Sequence, residues 1–250
     1  MNLPLFSDVP AWMSAAALVL SVALPTMLWQ VFYSTGQHAK IPGSRTLSIW
    51  LGVIMLIWVT GAVVLSLENF FRADPTARIP NLSGAFLPLL GGFALWAASP
   101  AFRETVRAMP PDWLIRIQSY RAVGGIYLVG WQLGSMPAPY AIPAGFGDLI
   151  VGFSALWVAR MVRQRRPGAD RLAMIWNIFG LTDVCVALTM GVLTSPNPFQ
   201  TLSKDHPGIV ITLFPLVLLP AVVVPLSVLC HFYSLKAGTR RSLQPGHTTA

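Results

Sequence analysis

Residues 46–67 read TLSIWLGVIMLIWVTGAVVLSL, 22 consecutive positions without Asp, Glu, Lys or Arg. The hydrocarbon core of a bilayer is roughly 30 Å thick, and a helix rising about 1.5 Å per residue needs about 20 apolar residues to cross it. A charge-free stretch of this length predicts a membrane span. Four further runs fit the same template cleanly or nearly so, at 11–33, 81–99, 172–193 and 209–233, the run at 172–193 being interrupted only by Asp183. A longer stretch between 117 and 159 is broken by Pro137, Pro139 and Pro143. It reads as two spans, 117–136 and 140–159, joined by a tight uncharged turn. The expected architecture is an all-α, polytopic integral membrane protein with seven transmembrane helices in a single domain over 1–250. A basic, disordered cytoplasmic tail is expected over 234–250.

Composition points the same way. Apolar residues make up 54% of the chain and charged residues only 10%, with a mean hydropathy of +0.62, whereas soluble domains carry about a quarter charged residues. The net charge of +8 invites a nucleic-acid reading. The basic residues fall in short gaps between apolar runs, however, and build no basic helix or aromatic-interleaved patch, so no nucleic-acid partner is expected. Cys185 and Cys230 both sit inside apolar runs, outside any C-x-x-C pair, so no disulfide is implied. The first run is preceded by Asp8 and by no Lys or Arg. It lacks the basic start of a secretory signal and is read as a retained helix.

Orientation follows from the loops, because Lys and Arg accumulate on the cytoplasmic side. With seven spans, one side holds Lys40 and Arg45, the Arg103–Arg116 group, five arginines between Arg160 and Arg171, and Lys236, Arg240 and Arg241. The other side holds only Arg72, Arg78 and Lys204. Thirteen against three predicts an N-terminus outside and a C-terminus inside. Eight of the nine tryptophans lie within about two turns of a predicted span end, where the indole ring favours the headgroup level; Trp58 alone is central. Pro215, Pro220 and Pro225 each remove a backbone donor from the last run, which predicts a bent or locally unwound helix.

Charge inside such a bundle is costly. An ionisable side chain near the bilayer centre costs about 2.5–3.5 kcal/mol on insertion scales, and three candidates stand out: Arg121, Asp148 and Asp183. At about 1.5 Å per residue, Asp148 lies about 18 Å and Asp183 about 16 Å from the cytoplasmic edge, so the two share a level. Each lies on a stripe of small residues that lets neighbouring backbones approach: Gly145 and Gly152 around Asp148, and Gly180, Ala187 and Gly191 around Asp183. At α-helical spacing, Gln118, Arg121, Gly125, Gln132 and Ser135 share one polar face of the fourth span. These residues predict a polar pocket bounded by Arg121, Gln132, Asp148 and Asp183, with Asn177 nearby. There Arg121 holds an anionic group or balances the aspartates, Asp148 and Asp183 bind a proton or cation, and Gln132 and Asn177 orient a solute. A purely structural alternative makes Arg121 a snorkelling anchor, Asp183 an interhelical packing residue and Asp148 an N-cap after PAGFG. As a cap, Asp148 would turn PAPYAIPAGFG into a short broken segment.

Several chemistries are argued against. Retinal attachment needs a lysine within the last span, and Lys236 lies beyond its expected end at 233. Zinc or haem ligation needs several converging ligands, and only His231 among the histidines falls in a span, so no metal or cofactor is expected. A serine hydrolase needs a nucleophile with its base. Ser154 in GFSA, with His231, only weakly fits, and no catalytic residue is assigned.

The strings SYRAVGGIYL, PAGFGDLIVG and WNIFGLTDV, between Ser119 and Val184, resemble segments of a group of bacterial multi-span integral membrane proteins. The resemblance implies a bacterial inner-membrane location and singles out Arg121, Asp148 and Asp183, but it carries no activity. The functional expectation is a small secondary carrier, or a channel-like or ligand-binding bundle, whose partners are the lipid bilayer and a small solute or ion. Two alternatives stand beside it: a membrane enzyme acting on a lipid-soluble substrate, and an accessory or sensory subunit of a membrane complex. The sequence leaves open whether copies associate with one another.

Overall fold

The computed structural model describes residues 10–76 and 86–242. The predicted start of the third span and the last eight residues of the predicted tail lie outside the described residues. In chain order the helices are α1 (Ala11–His38), α2 (Ser44–Leu67), α3 (Leu87–Ala98), α4 (Pro100–Ala108) and α5 (Trp113–Arg116), then a 3₁₀ segment (Ile117–Gly125) that runs into α6 (Ile126–Gln132). They continue with α7 (Ala138–Arg163), α8 (Ala169–Thr194) and α9 (Val224–Ser242), the last preceded by a π-helical turn at Leu219–Val223. No strand occurs among the described residues. α1, α2, α7, α8 and the segment Leu219–Gly238 are long and apolar enough to cross a membrane.

What each helix buries identifies its solvent. The buried residues of α2 are Ser44, Ser48, Ala62 and Ser66, while Ile54, Leu56 and Ile57 are more than half exposed. On α7, glycines and alanines face inward and Phe146, Ile150, Phe153 and Trp157 face outward. Small residues inside and large apolar ones outside is the reverse of a water-soluble helix. It suits lipid, where close backbone approach rather than water exclusion drives packing. Such broad apolar surface would not stay soluble in water.

Two ends can be told apart. Gly36 at the end of α1 lies against Ser44 at the start of α2 and close to Thr105 of α4. Arg103 of α4 donates to the Trp96 and Ala97 carbonyls at the end of α3, and Arg107 stacks on Trp96. Trp96 in turn packs on Phe232 and Tyr233 of α9, and Ile115 of α5 packs with Val158 and Val162 of α7. The basic loops therefore gather at one end. At the opposite end Ala73 N–H donates to Thr212 Oγ1, and just past the end of α8 the Ser195 hydroxyl donates to the Gly208 carbonyl while Gly208 N–H donates to the Thr194 carbonyl.

Four expectations need correcting. The predicted fourth span is not one α-helix: from Trp113 to Gln132 it is helical throughout, but its middle nine residues are 3₁₀. α7 starts at Ala138 and runs through Pro143 and Asp148 without a break. Pro139 sits in the first turn, where its missing N–H is unpaired in any case, and Pro143 removes one further bond near the same end. Asp148 is therefore an interior helical residue and not an N-cap. The predicted tail is helical as far as Ser242, and Lys236 lies inside α9 with its ammonium over the Phe232 ring. The last run matches its prolines: residues 213–217 are bend and turn, a π turn carries Pro220, and Pro225 falls in the first turn of α9.

Candidate functional site

Arg121 projects from the 3₁₀ segment into the centre of the bundle and is 5% exposed. Its Nε donates to Asp148 Oδ1 at 2.6 Å, and its second terminal nitrogen is paired with Asp183 Oδ2. The remaining terminal nitrogen meets the Gly180 carbonyl and His231 Nε2, each at 3.3 Å. One guanidinium thus ties the 3₁₀ segment to α7, α8 and α9. Planar geometry with five donors is what makes arginine suited to this multiple pairing.

Glycines make the meeting possible. A Cβ at Gly124 would strike the Asp148 carboxylate, and one at Gly147 the Asp183 carboxylate. A Cβ at Gly180 would strike the His231 ring, and one at Gly152 the backbone of Ala122. The small-residue stripes expected around the two aspartates are therefore the contact faces of α7 and α8, with Gly145 receiving Leu128 and Gly152 receiving the 3₁₀ segment.

The 3₁₀ geometry also decides which residues share the face of Arg121. With about three residues per turn, Gln118, Arg121, Gly124 and Tyr127 line up, and all four are buried. Gln118 and Ser227 exchange two hydrogen bonds, Nε2 to the Ser227 carbonyl at 2.9 Å and Ser227 Oγ to Gln118 Oε1 at 3.0 Å. Gln132, placed in the pocket on an α-helical period, is exposed at the end of α6. It lies roughly 18 Å along the rod from Arg121 and is not part of the site.

Asn177 belongs to a second layer, joined to Arg121 through a residue that sequence reasoning set aside. Its Nδ2 donates to the Ala173 carbonyl and to Ser234 Oγ, so its Oδ1 is the acceptor facing His231 Nδ1 at 3.0 Å. His231 therefore carries its proton on Nδ1 and turns a bare Nε2 toward Arg121. Trp176 packs against the His231 ring at 5.0 Å between centroids, and its indole donates to Ser154 Oγ. Ser154 and His231 thus make no nucleophile–base pair. Ser227, His231 and Ser234, spaced four and three apart, form a polar face on the last span. That spacing was the available signal for His231.

A cavity of about 390 Å³ opens beside this cluster and extends toward the end opposite the basic loops. Arg121, Asp148 and Gly124 form its floor, Tyr127, Tyr140, Val184 and Leu219 belong to its wall, and Phe71, Asp74 and Asn197 lie near its mouth. Asp183 stays behind Arg121, with 7% of its side chain exposed against 20% for Asp148. Asp148 is thus the carboxylate that a molecule in the cavity meets. Among the described residues, no three His, Cys, Asp or Glu side chains converge to hold a metal ion.

Residues 80–237 match the family described as a domain of unknown function, DUF8737. This is more than half of the chain. The chain belongs to the DUF8737 family. No curated protein and no solved structure matches it. The DUF8737 match contains Arg121, Asp148, Asn177, Asp183 and His231, and leaves α1 and α2 outside. The polar cluster and most of the cavity wall are thus built within the DUF8737 part.

Proposed function

We propose that this DUF8737 protein is a small seven-span membrane bundle that binds a small solute beside the Arg121–Asp148–Asp183 cluster, as a secondary carrier or a ligand-binding protein. The observation that carries this reading is a 390 Å³ cavity ending on a buried ion cluster. Sites for small molecules span about 300–1,000 Å³, with apolar walls and a few convergent polar groups. Ionisable residues at membrane depth are by default functional candidates.

Seven spans are favoured by the length of the fourth. The rod from Trp113 to Gln132 is about 34 Å long, because its 3₁₀ part rises about 2.0 Å per residue, so it is long enough to cross. α3 forms 12 residues, about 18 Å, of the apolar run at 81–99 that is read as the third span. An N-terminus outside and a C-terminus inside follow from thirteen basic residues against three. On this reading the cavity faces the outside, and the membrane is the bacterial inner membrane that the sequence resemblance implies.

The reading is tested by solute binding and uptake with purified protein in proteoliposomes. Saturable uptake or binding that is lost in Asp148→Asn supports it. Saturable uptake that survives both Asp148→Asn and Asp183→Asn contradicts it.

A further inference from the structure

The cavity is lopsided in charge. The charged side chains lining it, among the described residues, are Asp74, Arg121 and Asp148. The arginine does not offset the aspartates toward a ligand, because Nε is given to Asp148, one terminal nitrogen to Asp183 and the other to the Gly180 carbonyl and His231. Each of its three nitrogens already has a partner within the protein. What the floor offers the cavity is the Asp148 carboxylate, 20% exposed, whose Oδ1 is taken by Arg121 while Oδ2 lies against Gly124 and makes no hydrogen bond with the described residues. The central cluster of one arginine and two aspartates carries a formal charge of −1, and His231, holding a single ring proton, adds none.

The wall completes the specification. Phe71, Phe86, Tyr120, Tyr127, Tyr140 and Phe199 contribute aromatic surface, which attracts a cation as well as an apolar body. An anion would have to displace Asp148 from Arg121 and would meet a second carboxylate at Asp74 on the way in. A neutral apolar molecule would fill the wall and leave the acceptor on the floor unpaired, at a cost that buried polar groups carry when left without partners.

We infer that the ligand of this cavity is a lipophilic amine in its ammonium form, with its N–H bonded to Asp148 Oδ2 and its apolar body along the aromatic wall. The inference rests on the proposed binding role of the cavity and names its chemical class. Asp74 lies near the mouth and is held by donation from the Thr76 N–H and hydroxyl to its Oδ1. It serves as the first electrostatic attraction for an entering cation.

The test uses the full chain in lipid nanodiscs at neutral pH and three probes sharing one body: 4-phenylbutylamine, 4-phenylbutanol and 4-phenylbutyrate. The amine is expected to bind saturably at least tenfold tighter than the alcohol, and the carboxylate more weakly than either. Asp148→Asn should remove the amine's advantage over the alcohol, a ratio that a general loss of fold would not change selectively. Asp74→Asn, at an exposed position where the amide oxygen can still accept from Thr76, should weaken the amine a few-fold and flatten the salt dependence of its binding. Equal binding of amine and alcohol, or stronger binding of the carboxylate, overturns the cation assignment and leaves the cavity reading standing. Absence of saturable binding by all three probes overturns both.

Discussion

The Asp183 carboxylate of α8 occupies the space that a side chain at Gly147 of α7 would fill, one residue before Asp148. The two aspartates, 35 positions apart in the chain, are thereby brought to the same arginine. Removing side-chain volume on α7 is what lets two like charges share one guanidinium. The glycines of this bundle are consequently part of its electrostatics as well as its packing.

Substitutions at glycine should therefore separate by what they strike. Gly152→Ala drives a methyl group into the Ala122 backbone, which cannot rotate away, and should cost about 1–3 kcal/mol. Gly61→Ala meets no atom within 4 Å and should shift stability by less than about 1 kcal/mol, in the stabilising direction expected inside a helix. Unfolding in mixed micelles measures both, and equal losses would contradict the packing described.

Stability and binding should come apart at the ion cluster. Arg121→Met leaves two buried carboxylates unpaired, a loss of about 3–5 kcal/mol, whereas replacing every member of a buried ion cluster by apolar residues is often neutral or stabilising. The triple variant Arg121→Met/Asp148→Leu/Asp183→Leu is expected to recover most of the stability lost by the single variant and to bind no amine. A triple variant that still binds the amine would show that the cluster has no part in recognition.

Filling the cavity from its far side gives an independent check. A Cβ at Gly191 meets only carbons of the Tyr140 ring, at 3.7 Å, and Gly191 lines the cavity. Gly191→Leu should leave melting in detergent nearly unchanged and lower affinity for 4-phenylbutylamine at least tenfold. Unchanged affinity would place the amine elsewhere.

Topology can be read by labelling single cysteines in a chain with Cys185 and Cys230 replaced by alanine. Thr201→Cys and Gln164→Cys are both at exposed positions, in the loops that end and precede α8. A membrane-impermeant maleimide should label Thr201→Cys in intact cells and Gln164→Cys only after permeabilisation. The reverse pattern would invert the proposed orientation.

Much of this was legible without coordinates. The apolar runs fall on α1, α2, α7, α8 and the last helix, since length and hydropathy alone decide what can rest in lipid. Arg121, Asp148 and Asp183 were marked by the cost of charge at depth, with Asn177 placed beside them. Gln132 was misplaced because its selection assumed 3.6 residues per turn. Close contact at Gly152 and Gly124 accompanies a 3₁₀ segment of nearly three residues per turn, which turns Gln118, Gly124 and Tyr127 inward instead. Asp148 looked like a cap because prolines precede it, yet Pro139 lies in the first turn, where the N–H is unpaired in any case, and Pro143 costs the helix one bond without breaking it. His231 was set aside because metal and acid–base chemistry ask for several such residues, whereas here it is a neutral acceptor for an arginine. The cavity left no trace in any single stretch, since its wall is drawn from apolar residues of distant segments.

The claim on which the rest depends is that Arg121, while bound to Asp148, also holds Asp183, and a double-mutant cycle on Arg121 and Asp183 measures it. Arg121→Met, Asp183→Asn and the double variant are unfolded in lipid–detergent micelles, and the free energies are compared. A coupling of about 1–3 kcal/mol is predicted for groups in one ion network. Additive losses within about 0.5 kcal/mol, the behaviour of residues that do not touch, would contradict the account.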